Sequence, residues 1–259
     1  MKAKPRERDR PGEVASEGPC VAVENWLLTP EAGILHPGER TAVIADLHLG
    51  YEWARGAAGD SVPRHSLDEA LRRLTGLLAR SPVGRVVVAG DLVESARPCR
   101  RTAADVVRFG RWLDDREIQL VLIRGNHDGG LEWLMRRREV ELPAGAAFQA
   151  SLVVDGWTIM HGHDGATASR LIVGHHHPVL RAAGIAYPCF LAGPGAIMLP
   201  AFSRNAAGVD VTALAASAGQ AVSSLRSLAS TGSELLDFGP VGELASRLRG
   251  KPGQPGGKS

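Results

Sequence analysis

The sequence contains little cysteine, and this shortage excludes several kinds of site. Cys20, Cys99 and Cys189 lie far apart, and no CxxC pair occurs. An odd number of widely spaced thiols does not make a disulfide framework, and a zinc ribbon needs CxxC pairs. This cysteine usage is typical of a reducing compartment, and we expect a cytoplasmic location.

Long apolar runs and a large excess of one charge are also missing. No apolar stretch approaches the ~20 residues that span a bilayer. The segment 1–18 is charged rather than apolar, unlike a secretory leader. We therefore expect no membrane partner. The formal net charge is +2, so the bulk charge does not demand a nucleic-acid partner, although it leaves a local basic patch open.

The remaining composition favours a packed, loop-rich protein. Hydrophobic residues make up 44% of the 259 residues, and there are 31 glycines and 16 prolines. Composition divides the chain into four parts: a disordered N-terminal arm over 1–18, one main domain over 19–208, a C-terminal helical extension on or beside it over 209–249, and a disordered tail over 250–259.

Short apolar runs alternate with helical spacings through the main domain. Five runs predict strands, over 41–45, Arg85–Ala89, Gln119–Ile123, Leu171–Val173 and 196–199. Two more, over 152–154 and 157–160, predict a hairpin with a two-residue turn. Helices are predicted from Leu67 to Leu78, with Ser66 as N-cap, and over 102–114. In the extension, Val222, Leu225 and Leu228–Ala229 predict one helix, and Val241 to Leu248 a last one. This order predicts an α/β fold with mixed strands and outer helices.

Polar clusters follow five of these strands directly. They are Asp46-Leu47-His48, Gly90-Asp91, Arg124-Gly125-Asn126-His127-Asp128, His161-Gly162-His163 and Gly174-His175-His176-His177-Pro178. Carboxylates, a carboxamide and imidazoles without a thiolate suit Mn, Fe, Zn or Ni. The ligands are too many for one ion, and Asp91 is a natural bridge between two. Two adjacent metals can clamp both oxygens of an in-line displacement at phosphorus.

The ordered motifs DxH, GD, GNHD, HGH and GHxHP, from Asp46 to Pro178, closely resemble those of the calcineurin-like metallophosphoesterase superfamily. Residues 46–52, 62–64 and 199–203 are most similar to its ICC-like group, which includes the DNA ligase-associated phosphoesterases. The resemblance implies a four-layer αββα sandwich of two mixed β-sheets flanked by helices. It also implies a phosphate-ester substrate, with nucleic acid or a nucleotide as a candidate and a link to DNA repair.

The resemblance also implies a role for each motif residue. One metal takes Asp46, His48, Asp91 and His177, and the other takes Asp91, Asn126, His161 and His175. Two divalent ions, most simply Mn²⁺, then hold a hydroxide that attacks phosphorus. His127 protonates the leaving oxygen or stabilises charge on the phosphoryl group, and Asp128 orients His127 or raises its pKa. In HGH the family ligand is the first histidine, so His161 is preferred to His163.

Several other residues carry weaker expectations. Arg97 and Arg204 are candidates for substrate binding, whereas the arginine run 136–138 reads as a solvated helix face. His36 and His65 are expected to be structural or solvated. The roles of His163 and His176 stay open, and Glu94 is expected beside the ligands or at the surface.

Three functions remain in contention. The first is a phosphodiesterase, and the second is a phosphomonoesterase acting on small metabolites. The third is a non-catalytic scaffold, which typically loses the position of His127 or some ligands. Because no motif residue is lost, the enzyme hypotheses rank above the scaffold.

Overall fold

Two β-sheets lie face to face in this protein, and helices cover their outer faces. The structure is a computed structural model that describes residues 18–143, 146–165 and 168–249. The predicted tail 250–259, and the predicted arm apart from Gly18, lie outside these described residues. The expectation of disorder there stays a prediction.

The first sheet and its helices occupy the first part of the chain. The strands are β1 (Val21–Val23), β2 (Trp26–Leu28), β3 (Ile34–His36), β4 (Thr41–Ile44), β5 (Arg85–Ala89), β6 (Gln119–Ile123) and β7 (Phe148–Gln149). The helices are α1 (Tyr51–Ala57), α2 (Ser66–Leu78), α3 (Arg100–Asp114) and α4 (Gly129–Arg136). Strands β1 to β4 pair antiparallel, and β4 to β7 pair parallel. The carboxyl ends of β4, β5 and β6 therefore meet at one edge.

The second sheet is formed later in the chain. Its strands are β8 (Ser151–Val154), β9 (Trp157–Met160), β10 (Leu171–Val173), β11 (Pro178–Ala182), β12 (Ile185–Gly193), β13 (Ala196–Met198), β14 (Val209–Asp210), β15 (Arg226–Ser230) and β16 (Leu235–Pro240). The helices are α5 (Val211–Ala218), α6 (Gln220–Ser223) and α7 (Val241–Arg249). Strands β9 and β10 are parallel neighbours, so their carboxyl ends also share an edge.

Three hydrophobic clusters show how these elements pack. The middle cluster joins Val43, Val87 and Ile123 of the first sheet to Ile159 and Ile172 of the second. A second cluster lies between the first sheet and helices α2, α3 and α4. A third lies between the second sheet and helices α5, α6 and α7. Two mixed sheets with helices outside confirm the predicted αββα sandwich.

Local patterns predicted fewer than half of these elements, among them the strands that precede the polar clusters. Strands β5, β6 and β10 have the predicted bounds, and β8 and β9 form the predicted hairpin around Asp155-Gly156. Both central residues of that turn have positive φ, 48° and 74°, as a two-residue type I′ turn requires. In the part of the chain that the structure describes, no helix is both long and apolar enough to cross a membrane.

The predicted helix through Val222 and Leu228–Ala229 is wrong. Helix α6 ends at Ser223, and Leu228 and Ala229 lie in β15, which pairs antiparallel with β12. The spacing of three residues between these apolar positions is compatible with a helix. Pairing with β12 instead buries Ser227 to Ser230, and this tertiary contact outweighs the local pattern. Part of the extension thus belongs to the second sheet.

Candidate metal centre

The polar clusters converge where both sheets end. The loop after β4 runs beside the loop after β5, with the amide of Asp46 donating to Gly90 O at 3.1 Å and that of His48 to Asp91 O at 3.1 Å. Across the two sheets, the amide of His175 donates to Asp46 Oδ2 at 2.9 Å. Side chains from distant parts of the sequence are therefore held at one point by backbone hydrogen bonds.

Two glycines allow these loops to approach each other. A Cβ placed on Gly125 would lie 2.2 Å from both the amide nitrogen and Oδ1 of Asp91. A Cβ on Gly174 would lie 2.7 Å from Asp46 Oδ2. Real Cβ atoms do not approach so closely, so glycine is required at both positions for the carboxylates to keep their places.

Five of the candidate ligands have left-handed backbone conformations, which non-glycine residues seldom adopt. Their φ angles are 55° at Asp46, 49° at His48, 41° at Asp91, 66° at His175 and 44° at His177. Such conformations cost about 1–3 kcal/mol each and persist only where the surroundings impose them. Their concentration at one place indicates a functional site rather than ordinary turns.

Two groups of side chains could each hold an ion, and Asp91 belongs to both. The first contains Asp46, His48, Asp91 and His177, and the second contains Asp91, His161 and His175. Within each group the ligand atoms all lie within 4.8 Å of one another. Asn126 joins the second group, because its Oδ1 lies 3.0 Å from His161 Nε2.

The donor atoms fit a pair of cations. The Nε2 atoms of His48 and His177 face each other at 3.4 Å, and His175 Nδ1 lies 3.1 Å from His161 Nε2. The buried Asp46 Oδ1 has no hydrogen-bond partner among the described residues. Converging lone pairs and an unpaired buried carboxylate oxygen are costly unless a positive charge lies between them.

Atoms behind the imidazoles fix which nitrogen points into the centre. His161 Nδ1 donates to Ala89 O at 3.2 Å, and His177 Nδ1 donates to Ala207 O at 3.1 Å. His48 Nδ1 lies 3.0 Å from the Glu94 carboxylate. Because the two carbonyl oxygens can only accept hydrogen bonds, Nε2 of His161 and of His177 is left free to bind a metal. His48 Nδ1 makes no hydrogen bond among the described residues, so its contact with Glu94 is electrostatic. The sequence analysis did not predict the two carbonyl contacts, since a backbone carbonyl carries no side-chain signature. Glu94 was expected either beside the ligands or at the surface, and it lies beside His48.

The centre is electrostatically prepared for cations. Burial raises the pKa of Asp91, but hydrogen bonds from His161 and the His127 amide outweigh it and hold the pKa at about 2. Burial lowers the pKa of His161 and of His177, yet contacts with Asp91 and Asp46 raise both above the ordinary value. The carboxylates therefore stay charged at neutral pH and attract positive charge, whether a proton or a metal.

His127 stands beside the shared carboxylate. Its Nε2 lies 3.9 Å from Asp91 Oδ2, and its amide donates to Asp91 Oδ1 at 2.9 Å. Its Nδ1 donates to the carbonyl oxygen of Glu94. The ring is 38% exposed, so Nε2 is within reach of a group entering from solvent.

Asp128 does not contact His127 in the way that the sequence suggested. Its buried carboxylate accepts hydrogen bonds from the amides of Gly125 at 2.8 Å and Val93 at 3.2 Å. Burial raises the pKa of Asp128 to about 6. The orienting contact to His127 comes instead from the Glu94 carbonyl, because the turn at Gly125 directs the Asp128 side chain back onto the loop.

The other candidate residues lie in different surroundings. Arg97 is exposed on the loop after Asp91, and Arg204 forms an ion pair with Glu69 at 2.8 Å. The ring of His163 lies 5.1 Å from that of His161, and that of His176 lies 5.1 Å from that of His175. His36 is buried against Asp155, as expected of a structural histidine.

Comparison with known proteins agrees with this arrangement. The family profile described as calcineurin-like phosphoesterase matches residues 39–210. The crystal structure of the Pseudomonas putida nuclease MPE resembles this chain with a TM-score of 0.59 and 22% sequence identity. The alignment covers 82% of this chain and 94% of that one. At this identity the similarity concerns the fold.

Proposed function

Because the chain belongs to the calcineurin-like phosphoesterase family and is thus a metal-dependent phosphoester hydrolase, we propose that it is a phosphodiesterase acting on nucleic acid or a nucleotide. The observation that carries the proposal is Asp91, shared by two ligand groups with His127 beside it. The fold it shares with a nuclease supports the nucleic-acid substrate class.

The proposed ligand sets follow the two groups of side chains. Asp46, His48, Asp91 and His177 would hold one divalent ion. Asp91, Asn126, His161 and His175 would hold the other. Mn²⁺ suits this mixture of oxygen and imidazole donors. When bound, such a pair supplies Lewis acidity and an activated water for in-line attack at phosphorus.

His127 would manage the proton at the leaving oxygen. A carbonyl oxygen can only accept, so the contact with Glu94 places a proton on His127 Nδ1. The second proton of the imidazolium then lies on Nε2, the atom that faces Asp91 and the solvent side. From there it can pass to the departing alkoxide, which a phosphodiester of ordinary alcohols requires.

Asp128 would position this acid indirectly. By binding the amides of Gly125 and Val93, its carboxylate joins the loop that carries Asn126 and His127 to the loop after β5. This contact fixes Asn126 and His127 relative to Asp91. It touches neither the substrate nor the leaving oxygen in this scheme.

The proposal is tested by measuring bound metal and hydrolysis together. Purified protein with Mn²⁺ is assayed against bis-p-nitrophenyl phosphate and p-nitrophenyl phosphate, beside His127→Ala and a control, His65→Ala, at an exposed histidine. We expect diester turnover by the wild type. On a dinucleotide such as thymidylyl-(3′→5′)-thymidine, whose departing alkoxide needs the proton, His127→Ala should lose about 10²–10⁴-fold with both metals retained, and the loss should be much smaller on bis-p-nitrophenyl phosphate, whose nitrophenolate leaves unprotonated. The control should match the wild type.

Other outcomes identify the other candidates. Hydrolysis of the monoester alone would replace the diesterase by a phosphomonoesterase. Unchanged turnover of the dinucleotide by His127→Ala would remove the proposed acid, and protein that binds no divalent metal would favour the scaffold.

A further inference from the structure

A cavity of about 630 Å³ opens beside His177. Its walls come from the turn between β2 and β3, the start of β12, the loop after β13 and the turn between β15 and β16. Ala207 lines the cavity, and its carbonyl oxygen is the partner of His177 Nδ1. The cavity and the metal centre therefore share a wall, and a group held in one is adjacent to the other.

A fixed positive charge lies in this wall. The Arg73 side chain is partly buried, and its guanidinium donates to the carbonyl oxygens of Glu31, at 2.9 Å, and Phe202. Burial lowers the pKa of Arg73 to about 10, which leaves it protonated at neutral pH. The carboxylates near Arg73 are those of Glu31 and Glu69, and each is already paired with another arginine, Arg80 or Arg204. Three arginines and two carboxylates leave this cluster with a net positive charge beside the cavity.

Two further arginines line the same space and have N–H groups to spare. Arg181 Nη2 donates to Gly208 O at 3.1 Å, and Arg204 Nε contacts Glu69 at 2.8 Å. A guanidinium has five N–H donors, so these contacts leave most of each fork available. Among the described lining residues the carboxylate is that of Glu31, which is already paired with Arg80. The cavity thus favours an anion.

The remaining lining is largely apolar. It includes Pro178, Val179, Ile185, Tyr187 and Pro188. Apolar walls with a few convergent polar groups are typical of pockets for small organic molecules. Here they accompany cationic side chains, and that combination suits a ring-bearing group with a phosphate attached.

We propose that this cavity binds the nucleotide unit next to the scissile phosphate, with Arg181 and Arg204 contacting the following phosphate. The inference rests on the proposed phosphodiesterase and adds a substrate subsite to it. The nucleoside lies against the apolar wall, the scissile phosphate lies at the metal centre, and the second phosphate lies at the arginine side.

The test compares ligands that differ by one phosphate. Dissociation constants are measured by calorimetry, with Mn²⁺ and after its removal, for thymidine 3′,5′-bisphosphate and for the two thymidine monophosphates. The reference is whichever of the 3′- and 5′-monophosphates binds more tightly. We expect the wild type to favour the bisphosphate. In Arg204→Ala and in Arg181→Ala the preference for the bisphosphate, measured as Kd of the monophosphate divided by Kd of the bisphosphate, should fall by about tenfold, as expected for loss of a charge-assisted hydrogen bond.

Controls separate this inference from the function on which it rests. Arg204→Gln keeps the first three side-chain carbons and a polar amide without the charge and should behave as Arg204→Ala, whereas Arg111→Ala, at an exposed residue of α3, should keep the wild-type ratio. An unchanged ratio in all cavity variants would overturn the subsite. Hydrolysis of bis-p-nitrophenyl phosphate by the same samples reports on the phosphodiesterase separately, since binding of the bisphosphate requires no turnover.

Discussion

Asp91 is the residue that the two ligand groups have in common, and its carboxylate is held charged by the groups around it. Its pKa of about 2 reflects hydrogen bonds from His161 and the His127 amide. Two cations placed close together repel each other, and a shared negative ligand is what offsets that repulsion. The number of ions bound therefore depends on this one charge.

Replacing Asp91 by asparagine should weaken the binding of both ions. Asparagine keeps the shape but removes the negative charge, so we expect the metal content to fall from two ions per chain to fewer than one after dialysis. Elemental analysis by mass spectrometry measures this directly. Asp68→Asn, at an exposed residue of α2, is the matched control. Two ions per chain in Asp91→Asn would show that the bridge lies elsewhere.

Residue patterns predicted which side chains converge here but not the groups that support them. DxH, GNHD and GHxHP carry the chemistry in side chains, so their residues can be read directly from the sequence. The carbonyls of Ala89 and Ala207 act through the backbone, and their role depends on which loops meet. The same is true of Asp128, whose neighbour in sequence, His127, is not its partner in space.

Helices α1 and α2 are joined by a single buried carboxylate. Glu52 in α1 accepts hydrogen bonds from the amides of His65, at 2.9 Å, and Ser66, at 2.7 Å, and from the Ser66 hydroxyl at 2.6 Å. Ser66 was predicted to cap α2, but it is the first residue of that helix, and His65 has the N-cap position. The free amides at this end of α2 are bound by the Glu52 side chain of α1 instead. A negative charge at this end also interacts favourably with the helix dipole.

Replacing Glu52 by alanine should destabilise the protein by about 1–3 kcal/mol, because buried donors lose their acceptor. Urea unfolding of Glu52→Ala, with the surface variant Glu243→Ala as control, measures this. Burial raises the pKa of Glu52, but the bonds from Ser66 and the backbone leave it below the ordinary value. Its contribution is therefore present above the unfolded-state pKa and should disappear as the pH falls through the folded-state pKa. A difference that persists in acid would contradict this explanation.

Elements stabilised by local pattern were easier to predict than those stabilised by distant pairing. Strands β5 and β6 are continuous apolar runs, and α2 shows regular leucine spacing. Strand β15 forms because β12, the longest strand of its sheet among the described residues, has a segment free to pair with it. Residues 226–230 carry no local pattern that indicates pairing with β12, so their sequence was interpreted as part of a helix.

The two sheets each supply part of the candidate metal centre. Asp46, His48, Asp91 and Asn126 follow strands of the first sheet, whereas His161, His175 and His177 follow strands of the second. Elsewhere the sheets meet mainly through apolar side chains, with polar contacts such as that of His36 with Asp155 at the periphery. Ions bound between these ligands would connect the two layers and bind the folded state far more tightly than the unfolded one.

Removing the metals should therefore lower the melting temperature. Binding at a hundredfold excess over the dissociation constant adds about 2.7 kcal/mol per site, which corresponds to roughly 5–10 °C for a chain of this size. Differential scanning calorimetry before and after EDTA, then after Mn²⁺ is restored, measures the shift. The melting temperature of Asp91→Asn should change little when metal is removed. A change as large as that of the wild type would show that the stabilising ions bind elsewhere.

The order of the ligands along the chain has a consequence for protein synthesis. The first ligand group opens with Asp46 and is completed only by His177, the last candidate ligand to leave the ribosome. A nascent or prematurely terminated chain that stops before His177 lacks part of that group, however well its first sheet has formed. Hydrolytic competence thus cannot arise before the first sheet is complete and strands β8 to β10 of the second have been made.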